Sequence, residues 1–385
     1  MKKVCVVINS RANYARIKSL ILQLQKYKKI NLQIILGSSA ILDKYGDIRP
    51  LLKKDGIKIL REVYTIIQGG NLQTMAKSTG LLLIELSSIF SSINPDYVIT
   101  VADRHETLAT AIAASYMNIP LIHTQGGELT GSIDESVRHA ITKLSHIHFP
   151  ATKMAKKNII QMGENPKNIF LTGCPSIDLA KEYRKNKKKF YPKNFDNLGV
   201  GYQIKLDKKY LVVMYHPVTN EYGKNKKTIK NLLRTIKKID LPTIWMWPNV
   251  DAGTDIISKE IRKFRESNKF FKARFYKNFS PEEFLFIIDH CSCFIGNSSS
   301  AIREGSFLGV PCINIGRRQY QREKERNVID INNDKSIMKS ILTQINIKKY
   351  RSYKTYGDGN AAKKMINVIK KLGQVDLEKK FIKND

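Results

Sequence analysis

The sequence predicts an α/β protein built from two doubly wound, Rossmann-like domains that face each other across a cleft. Three observations carry this reading. Short apolar runs alternate with helical patterns from the N-terminus onward, which is the rhythm of parallel strands buried on both faces with helices between them. At 385 residues the chain exceeds what a single compact core holds. The alternation breaks once, in a basic and aromatic stretch over about 181–208, and then resumes. The break divides the chain into residues 1–178 and 179–359, with a final helix over about 360–385 expected to return to the first half.

Taken in order, residues 3–8 read as a strand, 13–27 as a helix, 32–36 as a strand and the segment through Leu51 and Leu52 as a helix. The short apolar segment 57–60 reads as a further strand. A long helix runs through 81–83 to Phe90, followed by a strand at 97–101, a helix over 106–117 and a strand over 119–123. After the break, strands are expected at 210–216, 243–247, 272–276, 293–295 and 312–315. The lysine run 185–189 has little periodicity and reads as a linker. Ligands of such sheets bind beyond the carboxyl ends of the strands. The polar clusters Asn9-Ser10-Arg11, Ala102-Asp103-Arg104 and His123 to Glu128 all fall at such ends.

Composition excludes several classes. Hydrophobic residues at 42% and aromatics at 9% suit a folded globular protein. No apolar run reaches about 18 residues, and the N-terminus passes directly into a strand pattern, so a cytoplasmic protein with no membrane partner is expected. The five cysteines lack paired spacing, which argues against a disulfide framework or a zinc site. Neither G-x-G-x-x-G nor a P-loop occurs, which argues against a dinucleotide enzyme or a P-loop ATPase, and no metal-ligand constellation stands out, so no cofactor and no metal are expected. The 66 Lys and Arg against 34 Asp and Glu give a formal charge of +32. Because the lysines are spread along a chain also rich in Asn and Ile, the charge reads as compositional bias and no nucleic-acid partner is expected.

The stretch Phe294 to Glu304 breaks an apolar run at Gly296-Asn297 and restarts as a helical pattern behind Ser298, Ser299 and Ser300. It reads either as an ordinary helix cap or as a cradle for an anion, with Glu304 placed to accept ribose hydroxyls. Asp103-Arg104 reads either as a structural pair capping the next helix or as two working charges in the cleft. Asp134, Glu135, Arg138 and His139 share one helix, as an acid and base set or as an exposed ion-paired face. His216 ends the first strand of the second half, and Arg318 follows the last full strand, where an arginine meets phosphate or carboxylate.

These residues resemble a known family. Arg11-Ala12-Asn13-Tyr14, Asp103-Arg104, the whole stretch from His123 to His146, Gly173-Cys174-Pro175-Ser176, His216-Pro217-Val218-Thr219, Pro248 to Gly253, Gly296-Asn297-Ser298-Ser299 and Tyr356 to Asn360 are similar, in collinear order, to the hydrolysing UDP-N-acetylglucosamine 2-epimerases. The similarity takes in the epimerase half of the animal bifunctional epimerase and kinase and the bacterial enzymes of sialic-acid biosynthesis. It implies the glycosyltransferase-B architecture, a homo-oligomer (dimer or tetramer) and a UDP-sugar substrate. It also implies loss of UDP by elimination and addition of water to give N-acetylmannosamine. By resemblance, Arg11, Arg104, His216, Asn249, Ser298, Ser299, Glu304 and Arg318 hold UDP, and Asp103, Asp134, Glu135, Arg138 and His216 form the acid, base and orienting set. One position departs: many relatives carry Glu where this chain has Gln125, which cannot exchange a proton. Relatives run the same chemistry on UDP- or GDP-linked 2,4-diacetamido sugars.

Overall fold

The computed structural model describes residues 1–331 and 336–383. The first half contains β1 (Lys2–Ile8), α1 (Arg11–Lys26), β2 (Ile30–Gly37), α2 (Arg49–Lys54), β3 (Arg61–Val63), α3 (Leu72–Ile93) and β4 (Tyr97–Val101). It continues with α4 (His105–Tyr116), β5 (Leu121–Thr124), α5 (Ile133–Leu144), β6 (Ile147–Phe149), α6 (Lys153–Gln161) and α7 (Pro175–Lys185). Its six strands are all parallel in the order β3-β2-β1-β4-β5-β6.

The second half contains β7 (Val200–Gly201), β8 (Leu211–Met214), α8 (Asn225–Ile239), β9 (Thr243–Met246), α9 (Thr254–Glu266), β10 (Ala273–Tyr276) and α10 (Pro281–His290). Next come β11 (Cys293–Gly296), α11 (Ser299–Ile302), α12 (Glu304–Leu308), β12 (Cys312–Ile315), β13 (Val328–Ile331), α13 (Ile337–Gln344) and α14 (Ala361–Lys371). This sheet runs β13-β12-β11-β8-β9-β10-β7, parallel except where the short β7 pairs antiparallel with β10. Each sheet is covered on both faces by apolar side chains, which is why its strands are continuous runs of Val, Ile and Leu.

Strand order reverses between β1 and β4 in the first sheet and between β8 and β11 in the second. At such a switch point the loops diverge and leave a crevice. The two crevices face each other, and the site lies between them.

Four sequence expectations are corrected. The stretch 181–208 is no linker: α7 runs through Lys185, and Phe190, Phe195 and Ile204 are buried in the core beneath the second sheet. The strand expected at 57–60 falls instead at Arg61–Val63, because the edge position is fixed by the Leu60 N–H donating to the Ile34 carbonyl. The expected helix behind the serines is two short helices separated at Arg303. The last helix stops at Lys371, and residues 372–383 continue without helix. That helix packs Met365, Ile366 and Ile369 into the core of the first domain, and Asp178 on α7 accepts the Ala361 and Ala362 N–H groups at its start.

Candidate active site

The backbone at the strand ends aims the charged side chains. After β4, Ala102 adopts a left-handed φ of 63°, and after the neighbouring β5 Gln125 adopts 62°. Non-glycine residues in this region are strained, and such strain concentrates at sites the rest of the fold holds in place. The kink at Ala102 sends Asp103 and Arg104 in different directions. They do not pair with each other.

Asp103 is surrounded by guanidinium groups. It accepts from Arg138, with Nε at 3.2 Å, and lies 3.7 Å from both Arg16 and Arg322. Burial alone raises a carboxylate's pKa, but the charges of Arg138, Arg16 and Arg322 outweigh it and hold Asp103 well below the usual carboxylate range. Arg104 is paired with Glu106 at 3.0 Å and with Asp251 of the opposite domain at 2.9 Å. Arg11 donates to the carbonyls of Trp247 and Lys277. Among the described residues no carboxylate lies within ion-pair distance of it. Burial, followed by repulsion from Arg104, lowers its pKa to about 10.

The second domain closes the cleft from the other side. Gly296 ends β11 at a φ of 140°, where a Cβ would come within 2.0 Å of the Met214 carbonyl, so the strand can turn only with glycine. Asn297 then clamps the end of β8: its Oδ1 accepts the His216 N–H and its Nδ2 donates to the His216 carbonyl, both at 2.8 Å. The His216 ring accepts the Asn249 N–H at Nδ1, 3.2 Å away, which places the ring proton on Nε2. Burial and then the charges of Arg318, Arg11 and Arg104 push its pKa well below the ordinary value, so the ring is a neutral donor. Arg318 donates to the Asn297 carbonyl at 3.2 Å and lies 3.4 Å from Asp134.

The resulting cleft is lined by residues of both domains, as ligand sites between domains commonly are. Arg11, Asp103 and Arg104 line it from the first domain, and His216, Asn249, Ser298, Ser299, Glu304 and Arg318 from the second. Ser298 accepts the Ser300 N–H at 3.3 Å, whereas the Ser299 hydroxyl accepts from Arg16 across the cleft. Glu304 Oε2 is buried and takes no hydrogen bond among the described residues.

Two residues expected in the acid and base set, Arg138 and Glu135, stand elsewhere, and Asp134 lies at the edge. Arg138 is fully buried, donating to Asp103, to the Glu128 carbonyl and to Thr130, so it positions Asp103 from behind. Glu135 turns back along its helix, where it accepts the Thr130 N–H at 2.6 Å and faces His139. Asp134 sits at the rim, where Arg318 lies 3.4 Å away. Burial raises its pKa, and the nearby charges of Asp103 and Asp251 add to the rise against the pull of Arg318. Among the described residues no group of three or more His, Cys, Asp or Glu side chains is arranged to hold a metal ion.

Sequence reading missed a buried network under the cleft. Glu128 takes both oxygens to Arg303 at 2.7 Å and one to Arg322, and Arg303 also donates to the Gln125 side chain at 2.9 Å. Arg16 and Asp251 were missed as well. Nothing in the local pattern of a helical arginine announces burial; only the facing loop, 175 residues or more away in sequence, supplies its partner.

Two facing Rossmann-like domains with a cation-lined crevice at their switch points define a protein of the glycosyltransferase-B architecture. Residues 22–370 match the family model described as UDP-N-acetylglucosamine 2-epimerase. The chain belongs to this family. It is 31% identical to the UDP-N,N'-diacetylbacillosamine 2-epimerase (hydrolyzing) of Legionella pneumophila, with 96% of each chain covered. It is 33% identical to the polysialic acid biosynthesis protein P7 of Escherichia coli, over 91% of this chain and 86% of the other. It is 28% identical to a UDP-N-acetylglucosamine 2-epimerase of Neisseria meningitidis, over 94% and 92%. A crystal structure of a UDP-GlcNAc 2-epimerase from Neisseria meningitidis bound to UDP-GlcNAc shares the fold at a TM-score of 0.76, with 19% identity over 96% of this chain and all of that one. Among the described residues no helix is long and apolar enough to cross a membrane.

Proposed function

We propose that the protein is a hydrolysing 2-epimerase that converts UDP-N-acetylglucosamine to UDP and N-acetylmannosamine. The observation that carries this reading is geometric: Arg11, Arg104, Arg318, Ser298 and Ser299 line one cleft between the domains, and two carboxylates stand beside them, Asp103 held as an anion by Arg138, Arg16 and Arg322 and Asp134 pushed upward by burial. Environments that drive neighbouring acids apart assign their roles. Asp134 is the base that takes the proton from C2 of the sugar. The C1–O bond to UDP then breaks, the electron pair of the C2–H bond forms the C1=C2 bond, and UDP leaves as an anion.

Arg11, Arg104, Arg318, Ser298 and Ser299 receive the charge that develops on the diphosphate, and the neutral His216 donates Nε2–H to it. Water then adds across the double bond of the glycal. Its hydroxyl goes to C1, and a proton is delivered to C2 on the face opposite the one it left, which inverts that carbon. Glu304, with an unpartnered carboxylate oxygen, accepts the ribose hydroxyls.

A second reading, the same reaction on a UDP-linked 2,4-diacetamido sugar, is favoured by the similarity to the Legionella protein and to the GDP/UDP-N,N'-diacetylbacillosamine 2-epimerase (hydrolyzing) of Campylobacter jejuni, 33% identical over 86% of this chain. Incubation with each sugar nucleotide in deuterated water, followed by proton NMR, separates the two. UDP-N-acetylglucosamine is expected to give UDP and N-acetylmannosamine labelled at C2. Turnover of the diacetamido substrate alone assigns the second reading, and release of UDP only in the presence of a sugar acceptor refutes both.

A further inference from the structure

Residues 372–382 leave α14 and run without helix along the side of the first sheet that lies opposite the cleft. The anchors of this strap stand at the amino ends of strands. Lys2, the first residue of β1, donates to the Leu372 carbonyl, and the Tyr97 hydroxyl, at the start of β4, donates to the Gly373 carbonyl. His146 accepts at Nδ1 the N–H of Leu121, which opens β5, 3.2 Å away, and hydrogen-bonds the backbone of Leu377. The strap thus crosses the strands in their order in the sheet, β1-β4-β5, and ends beside α5 and α6. There the Ile382 N–H donates to the Gly163 carbonyl at 2.9 Å and the Phe381 ring covers Gly163.

Lys379 ties the strap to α5. The last carbonyls of a helix have no partner within it, and Lys379 Nζ donates to those of Thr142 at 3.2 Å, Lys143 at 2.7 Å and Ser145. A cation suits this negative end of the helix dipole. The same ammonium pairs at 2.7 Å with the buried Glu164, which also holds Lys143 of α5 at 2.6 Å and His148 of β6 at 3.1 Å. The other end of α5 reaches the cleft: its first turn carries Asp134, and Arg138 follows one turn later. A helix is stiff, so a shift at one end is felt at the other, and a misplacement of about 1 Å near the chemistry costs up to about 100-fold in rate. We propose that Lys379 is a positioning residue: by fixing the C-terminal end of α5 it sets Asp134 at the cleft and the Arg138 that holds Asp103. The assignment rests on the function proposed above, in which Asp134 is the base.

The test compares Lys379→Met and Lys379→Arg in the full chain by steady-state kinetics, UDP calorimetry and amide hydrogen exchange. Lys379→Met should lower kcat about tenfold, while KM and the affinity for UDP change less than about twofold, because Ser298, Ser299 and Arg318 lie in the other domain and Arg11 on α1. Exchange should quicken over residues 134–145 and stay unchanged in α1. Lys379→Arg keeps the cation and its donors, and should return kcat to within about threefold of the wild type. Unchanged kcat in Lys379→Met, unchanged exchange over 134–145, a loss of UDP affinity as large as the loss of kcat, or no recovery with Arg overturns the assignment. A wild type inactive on both sugar nucleotides refutes the proposed function instead, and exchange over α5 then decides alone whether the strap anchors that helix.

Discussion

Gln125 shows how a residue that looks decisive in the sequence can be neutral in place. Its side chain does not line the cleft; it lies beneath it and accepts from Arg303. Around it four guanidinium groups, of Arg16, Arg138, Arg303 and Arg322, face two carboxylates, Asp103 and Glu128. A third carboxylate therefore reduces the excess of positive charge, and Gln125→Glu is expected to keep kcat/KM within about fivefold, an effect of under about 1 kcal/mol, with no loss of melting temperature. A fall of several orders of magnitude in steady-state assays would show that the amide itself is needed. Asp134 behaves in the opposite way. Asp134→Asn should lower kcat by about 10²- to 10⁴-fold, the usual share of a general base, with little change in KM. The sign of the pH dependence follows from its raised pKa: the base is active when deprotonated, so kcat falls as pH drops through a midpoint above the ordinary carboxylate value. A pH-independent kcat across that range removes Asp134 from the role. The sequence made Asp103 and Asp134 visible as polar residues at strand and helix ends, but their separation into anion and base depends on Arg16, Arg138 and Arg322, which three different parts of the chain contribute.

At the scale of elements, strands with continuous apolar runs were legible and segments held by tertiary contacts were not. The strand expectations at 97–101 and 312–315 coincide with β4 and β12, since five and four consecutive buried positions leave no other reading. The segment after α7 was read as a linker because its lysines dominate and its turns are short 3₁₀ segments without a period. Its apolar residues nevertheless anchor it: Phe195 stacks on Tyr276 with ring centres 5.1 Å apart and on Phe279 at 6.2 Å, and Phe190 meets Tyr183 edge-on at 5.4 Å. Lys187 and Lys349 in turn close on the buried Asp289. Phe195→Ala should therefore destabilise the protein by about 3–5 kcal/mol in urea unfolding, the cost of a buried aromatic truncated to alanine. A loss under about 0.5 kcal/mol, typical of surface sites, would return the segment to the status of a linker.

For the whole molecule, the question is how a substrate enters a cleft that its own side chains bridge. The chain passes beside itself at 173–174 and 356–357, where Gly173 and Gly357 approach closely and the Cys174 N–H donates to the Tyr356 carbonyl at 2.8 Å. These adjacent segments form a narrow waist about which the halves can turn. Across the cleft run the Glu128 contacts to Arg303 and Arg322, the Lys18 to Glu282 pair at 2.5 Å and the Gly253 N–H to Gly70 carbonyl bond at 2.9 Å. Buried ion pairs of this kind are weak latches, because separated charges regain their hydration. Opening is therefore cheap, and under the proposed function a diphosphate held by Arg11 and Arg104 on one side and Ser298, Ser299 and Arg318 on the other would add contacts present only in the closed form. UDP should contract the radius of gyration measured by small-angle scattering. Glu128→Gln removes the latch's anion and leaves two arginines facing each other, so the free variant should be more open than the wild type and contract further on binding. Its apparent affinity for UDP should fall in proportion to the closed fraction. If the curves of both proteins superimpose with and without UDP, the domains are fixed and the substrate enters by another route.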